Sequence, residues 1–328
     1  MAQSELRQDI VSGDWILVAP GRKNRPQQFI NKDKPKRPSK KGCLFENPEK
    51  AGGGFPIIVS PPKESPWIQV VPNKFPAVTH EGIMSVVAKQ GPFFVIPGVG
   101  HHDLIVTRDH NKNFPKLPLE EARLVMETFR RRYKMLMEDS YVAYISIFHN
   151  WGLNAGASIY HPHYQIITMP IIPPIIQHSL TGSAKYYRDN NRCVYCTAIK
   201  WEKSQKKRVI YENDEAIAFA PFVSHNPFEI KVFPKKHISF FEDTSPEVLG
   251  SVTEALHRSL KKIEKKLKYP DYNFFLNTAP TVGKDKNTHY HWHIEIKPKI
   301  QIEGGFELDT GIEINVVDPD TAAEFLRK

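Results

Sequence analysis

Three cysteines in a chain of 328 residues are too few to staple a fold. That scarcity points to a reducing cytosol, where cysteine serves as a ligand or a free thiol. Long apolar runs are missing too. No stretch approaches the roughly 18 residues that span a bilayer, so no membrane partner is expected. The opening Met1-Ala2-Gln3-Ser4-Glu5 lacks the charged-then-apolar layout of a signal peptide. There is no Walker loop, no Gly-x-Gly-x-x-Gly strand–helix turn and no His-Glu-x-x-His helix, which removes three common enzyme signatures. Negative charge is in deficit: 36 acidic residues against 45 basic give a formal charge of +9. Such a balance suits a polyanion, either nucleic acid or a small one such as a nucleotide sugar. Much of the excess sits in short runs, 34–41 and 200–208, that read as solvated loops, so nucleic acid is not the expected partner. Hydrophobic content of 40% and charged content of 25% are those of a soluble globular protein with room for two domains, and the cysteine usage makes the cytoplasm its expected location.

One plan occurs twice along the chain. In the first half, Ala122, Val125, Met126, Phe129, Tyr133, Leu136 and Met137 recur at helical spacing between Leu119 and Glu138. The strand-like run 141–148 follows, then a loop, a histidine pair and a last strand. In the second half, Ser245 is the expected N-cap, with Pro246 at the first helical position and Glu247 in the first turn. Val248, Leu249, Val252, Leu256, Leu260, Ile263 and Leu267 form its apolar stripe. Residues 272–277 read as the next strand, and a loop with Gly283 leads to His289, His291 and His293. The repeated order predicts an α+β fold of two tandem units, each an antiparallel sheet crossed by helices. The expected units are 1–185 and 186–328, with the boundary near 182–191.

The densest chemistry lies at 150–165. A small-residue loop through Gly152, Gly156 and Ser158 runs into His161-Pro162-His163-Tyr164-Gln165. A strand starting at His161 would place His161, His163 and Gln165 on one face. Loop N–H groups bind phosphate oxygens, and a neutral imidazole attacks phosphorus. The plain alternative is a loop followed by two surface histidines. A second signal is Cys193-Val194-Tyr195-Cys196, followed by His237 before the helix and by His291. Two thiolates and two imidazoles complete a tetrahedral structural zinc site. A redox pair, or two inert thiols, would use the same cysteines differently.

Around His163 the chain resembles the galactose-1-phosphate uridylyltransferases of the histidine-triad superfamily. Asn150, Gly152, Gly156, Ser158, His161, Pro162, His163 and Gln165 match the family pattern. The likeness extends to the opening stretch 6–20, to His291-Trp292-His293 and to Gly304-Gly305-Phe306-Glu307. It implies two histidine-triad-like domains, the first catalytic. The implied reaction is ping-pong transfer of UMP from UDP-glucose to galactose 1-phosphate through a uridylyl-His163. Gln165 and Ser158 would stabilise the phosphoryl oxygens, and a backbone carbonyl near Tyr160 or His161 would set the tautomer of His163. Asn73, Phe75, Asn150 and Gly156 would hold the nucleotide. Phe306, Thr310 and Gly311 would reach the sugar, in relatives often across a dimer interface. The UDP-sugar and the hexose 1-phosphate are thus the implied partners, with a homodimer as the assembly.

The resemblance also implies zinc, one or two structural ions per chain. Cys43, His110 and His161 match family ligands in the first repeat, but Glu46 stands where the family has a second cysteine. Glu46 either ligates through oxygen or leaves the site weak. A further metal carried by some members is not expected, because Asn277-Thr278-Ala279-Pro280 stands where they have His-x-Ala-Pro. Three alternatives remain at this stage. One is a nucleotide-sugar phosphorylase acting on ADP-glucose with inorganic phosphate, and another a histidine-triad hydrolase with water as acceptor. The third, from another class, is a zinc-stabilised nucleic-acid-binding protein without chemistry.

Overall fold

The structure is a computed structural model that describes residues 3–24, 38–62, 67–80 and 87–328. The first part of the basic run expected from Lys34 lies outside the described residues. In chain order the strands and helices are β1 (Glu5–Gln8), β2 (Trp15–Val18), α1 (Pro48–Ala51), β3 (Ile58–Ser60), β4 (Ile68–Pro72), β5 (Ala88–Gln90), β6 (Phe93–Val95) and β7 (His102–Thr107). There follow α2 (Leu119–Leu136), β8 (Tyr144–Trp151), β9 (His163–Met169), α3 (Pro174–Asn190) and α4 (Val194–Gln205). The second repeat supplies β10 (Val209–Glu212), β11 (Ala216–Phe219), β12 (Ile230–Pro234), α5 (Pro246–Lys266), β13 (Tyr272–Asn277) and β14 (His293–Pro298). The chain closes with α6 (Gly305–Thr310), β15 (Ile314–Asn315) and α7 (Pro319–Arg327).

The two repeats are halves of one ten-stranded sheet, in the order β10-β11-β12-β14-β13-β8-β9-β7-β4-β3, with every described pair antiparallel. They join edge to edge at β8 and β13. Pairing these two strands hides two ladders that separate half-sheets would expose. The register shows a pseudo-two-fold axis. Phe148 lies opposite Phe275 at the junction. Phe148 also pairs with Gln165 in the first half, and Phe275 with Glu295 in the second. One strand further out, Leu104 pairs with Gln165 and Lys231 with Glu295.

α2 and α5 cross one face of this sheet and pack on each other. The expected stripes account for this. Ala122, Val125, Met126, Phe129, Tyr133 and Leu136 on α2 are buried, as are Val248, Leu249, Val252, Leu256, Leu260 and Ile263 on α5. They meet Ile145, Ile147, Tyr164, Ile166, Phe274, Leu276, Ile294 and Ile296 from the sheet in one core cluster. Ser245 caps α5, its hydroxyl accepting from the Val248 N–H at 3.3 Å. The period of two then turns alternate residues to the opposite face: Phe148 and Asn150, His163 and Gln165, Asn273, Phe275 and Asn277. α3 and α4 contribute to a second, smaller core with β11 and β12. β1, β2 and β15 form a separate three-stranded sheet that brings the C-terminal segment back to the opening hairpin.

Two sequence expectations shift. The strand carrying the first histidine pair begins at His163, not at His161, and its counterpart begins at His293. Pro162 has no N–H to give a ladder, and the carbonyls of His161 and His291 are taken by the rings of His163 and His293. His161, His289 and His291 therefore sit in the turns before the strands. The strand expected over 141–148 runs over Tyr144–Trp151. Helix α3 covers 182–190 of the stretch in which the boundary is expected.

Candidate active site and metal centres

His163 opens β9 and is 6% exposed. Its Nδ1–H donates to the His161 carbonyl oxygen at 2.8 Å. That bond fixes the tautomer and leaves Nε2 as a lone pair without a hydrogen-bond partner among the described residues. Burial pushes the imidazole below its ordinary value, against the opposing pull of the His161 carbonyl, and so favours the neutral ring. The Phe45 ring stands edge-on to it at 4.9 Å and helps exclude water. Beneath, fully buried His149 donates from Nδ1 to the His163 carbonyl at 2.7 Å, and burial drives its own imidazole down to about 3.

Gln165, two residues along, shares this face. Its Oε1 accepts from His102 Nε2 at 3.0 Å. Asn150 Oδ1 accepts from Asn273 Nδ2 at 2.8 Å, and that amide also donates to the Ala155 carbonyl at 2.8 Å. Strand β13 of the second repeat thus fixes the glycine loop of the first. Gly152 has φ +89°, and a Cβ there would overlap the Asp271 carboxylate. Asp271 in turn accepts from the Asn154 N–H at 2.9 Å and its side-chain amide at 2.8 Å. Gly156 (φ +85°) and Ser158 are exposed on this loop. Asn73 Oδ1 accepts from the Phe75 N–H at 3.0 Å, and the Phe75 ring is 80% exposed beside it. Phe306, Thr310 and Gly311 fall on α6 and its C-cap, all exposed. Phe306 lines a cavity with Arg22 and Gln301, and Gly311 another with His293 and Glu295.

Both expected ligand sets assemble. Cys193, Cys196, His237 and His291 bring their ligand atoms within 4.8 Å of one another, and so do Cys43, Glu46, His110 and His161. The donor chemistry fits a cation at each. Nε2 of His110 faces the Pro38 carbonyl at 3.3 Å, and Nε2 of His161 faces that of Thr107 at 2.6 Å. His237 and His291 make the same contact with Thr288 at 2.8 Å and Pro234 at 3.0 Å. A carbonyl only accepts, so each Nε2 carries the proton and each Nδ1 lone pair points inward. Cys196 Sγ lies 3.4 and 3.5 Å from the two Nδ1 atoms of its set, and one thiol proton cannot serve both. The hydrogen bond from Cys196 holds the Cys193 thiol well below its usual value, the state a ligand needs. Zinc, when bound, would supply a rigid cross-link at each cluster. In the first repeat, Cys43, Glu46, His110 and His161 would hold it, and the His161 carbonyl would be braced beneath His163.

The second repeat carries counterparts without the same chemistry. His293 Nδ1 donates to the His291 carbonyl at 3.1 Å, as His163 does to His161. Its Nε2, however, meets the Glu295 carboxylate at 3.3 Å, and Glu295 pairs with Lys231 at 3.1 Å. A carboxylate therefore stands where the first repeat has a neutral amide.

The comparisons with known proteins bear on the family and the fold. The family model described as "Domain of unknown function (DUF4921)" matches residues 85–327. The ADP-glucose phosphorylase of Arabidopsis thaliana is 30% identical over 336 residues, spanning 99% of this chain and 92% of that protein. The chain belongs to the galactose-1-phosphate uridylyltransferase family. The family member from Thermotoga maritima, a galactose-1-phosphate uridylyltransferase, is 28% identical across 99% of this chain and 98% of its own length. The crystal structure of the Arabidopsis thaliana ADP-glucose phosphorylase with bound ADP-glucose superposes with a TM-score of 0.83 at 26% identity, covering 99% of both chains. The chain is accordingly an enzyme of this nucleotidyltransferase family. No described helix is long and apolar enough to cross a membrane.

Sequence reasoning missed His102, His149 and Asn273. His102 was within reach, since it opens the β-branched run Leu104-Ile105-Val106-Thr107. The other two act through pairing between β8, β9 and β13, which no local pattern encodes.

Proposed function

We propose that this protein transfers a nucleotidyl group from a nucleotide sugar through a covalent nucleotidyl-His163. The observation that carries the reading is the His163 ring, neutral by burial, with Nδ1–H held by the His161 carbonyl and Nε2 open. Nε2 attacks the α-phosphorus. A P–N bond forms, and the P–O bond to the sugar phosphate breaks, its electron pair leaving on sugar 1-phosphate. The His161 carbonyl stabilises the charge that the ring gains. The Gln165 amide N–H group, together with Ser158 and the loop N–H groups near Gly156, stabilises the charge that develops on the phosphoryl oxygens. An acceptor phosphate then attacks the same phosphorus along the reverse path.

For donor and acceptor, the likeness to the ADP-glucose phosphorylase along nearly the whole chain favours ADP-glucose and inorganic phosphate. The second reading, UMP transfer from UDP-glucose to galactose 1-phosphate, is supported by the Thermotoga maritima relative, which matches over almost its full length. Zinc at both clusters and a homodimer complete the proposal. Intact-protein mass after brief incubation with ADP-glucose or UDP-glucose identifies the base, because the labelling donor leaves AMP or UMP on the wild type and nothing on His163→Asn. Discharge of the adduct by inorganic phosphate or by galactose 1-phosphate identifies the acceptor. A protein that turns over either donor without His163 would sink the reading.

A further inference from the structure

Gln165 has a side-chain amide with one accepting end and one donating end. Only the donating end stabilises a phosphoryl oxygen, so its usefulness depends on which way it is turned. Rotation about the last torsion of a glutamine is soft, and nothing in Gln165 itself chooses the direction. His102, at the start of the neighbouring strand β7, makes the choice. Its Nδ1 accepts from the backbone N–H of Ala77 at 3.0 Å. With Nδ1 accepting, the proton of the neutral ring sits on Nε2; of the two groups facing Nε2, Gln165 Oε1 at 3.0 Å and Asn73 Nδ2 at 3.1 Å, only the Gln165 oxygen can accept it. The accepting end of Gln165 is thereby engaged, and its NH₂ group is turned away from His102.

Ala77 belongs to the segment after β4 that also carries Asn73 and Phe75. This segment docks on His102 a second time, the Asn73 N–H donating to the His102 carbonyl at 2.8 Å. One imidazole therefore links the expected nucleoside-binding segment to the phosphoryl-facing amide. The second repeat shows that the fold does not demand this link. There, Lys231 pairs with Glu295 as Leu104 pairs with Gln165. Glu229, two residues before Lys231 as His102 is before Leu104, is buried and accepts from the His225 and Asn226 N–H groups at 2.8 and 3.1 Å.

We infer that His102 is a positioning residue that couples the docking of segment 73–77 to the orientation of Gln165. The inference rests on the nucleotidyl-His163 reading and adds a residue to it. The test measures the single-turnover rate of His163 labelling by the nucleotide sugar that labels the wild type. His102→Phe is expected to slow labelling on the order of tenfold to a hundredfold, with little change in the donor concentration at half-maximal rate. His102→Gln, whose amide N–H reaches toward Oε1, is expected to recover most of that rate. In a Gln165→Ala background, either His102 substitution should cost no more than about twofold further, because the group it orients is gone. A structural role would instead add its full cost in that background and lower the thermal midpoint. Wild-type labelling together with an undiminished His102→Phe rate, or with additive losses, would overturn the inference alone. No labelling of the wild type by any nucleotide sugar would remove the underlying reading and the inference with it. Should His102→Phe fail to fold, His102→Gln and its combination with Gln165→Ala decide the matter, since dependence on Gln165 is the quantity read.

Discussion

At the scale of single residues, burial decides protonation and hydrogen bonds decide direction. His163 is held toward its neutral form because its ring has left water, and its Nε2 lone pair is open because Nδ1 is held. The pH dependence follows in sign. The reactive form is the neutral one, and its value lies below the ordinary 6.5. Single-turnover labelling should therefore reach half its plateau at a pH below 6.5. A midpoint at or above 6.5 would show that His163 is more hydrated than its contacts imply. His149 makes a matching stability statement. It is buried and held down to about 3 from 6.5, while its unfolded form takes up a proton below 6.5. The unfolded state binds more protons in that window, so stability is lost as pH falls from about 6.5 to about 3, by a few kcal/mol at most. Denaturant midpoints across pH 7 to 4 measure it, and His149→Phe should flatten that slope.

At the scale of elements, a strand sorts its residues by period and a loop is shaped by what anchors it. β9 sends Tyr164 and Ile166 to the core and His163 and Gln165 to the other face, a division visible in the order of residues alone. α2 and α5 were equally legible, since their apolar spacing, Ser245 and Pro246 are local signals that coincide with the tertiary need. The helices α3 and α4 were not, because their amphipathic faces are short and their partners lie far along the chain. The loop before His163 depends on Gly152, whose backbone only glycine adopts easily and whose missing Cβ leaves room for Asp271. Gly152→Ala should displace Asp271, release Asn154 and cost about 1–3 kcal/mol. Labelling should slow by more than tenfold. Equilibrium unfolding and the labelling rate check the two halves of that expectation, and an unchanged rate would show that the loop anchors itself elsewhere.

At the scale of the whole molecule, two similar halves share one sheet and divide the labour. The junction of β8 and β13 lets Asn273 of the second half hold Asn150 and Ala155 of the first. Each half carries a cluster of four candidate ligands, yet among the described residues only the first pairs its cluster with Gln165 and an unpartnered imidazole nitrogen. The two clusters also differ in softness: two sulfurs in the second repeat, one sulfur and one carboxylate in the first. Metal analysis of the purified protein should find zinc, and Cys193→Ser should remove about one equivalent per chain. Graded chelation is expected to empty the Cys43/Glu46 cluster first, with labelling of His163 falling as that metal leaves. Loss of both metals at one chelator concentration would contradict the ranking.

By itself the sequence determined the chemistry-bearing types and their local order: a glycine loop, His163 and Gln165 two apart, a cysteine pair four positions wide, and two helices with the same plan. These are short-range facts, set by side-chain period and by the few residues that turns and caps accept. Only the tertiary structure decided that the halves fuse into one sheet, that His161 and His291 leave the strands to face their clusters, and that His102 turns Gln165. Such relations join residues tens to more than a hundred positions apart. They are chosen by which edges pair and which polar atoms find partners once water is excluded.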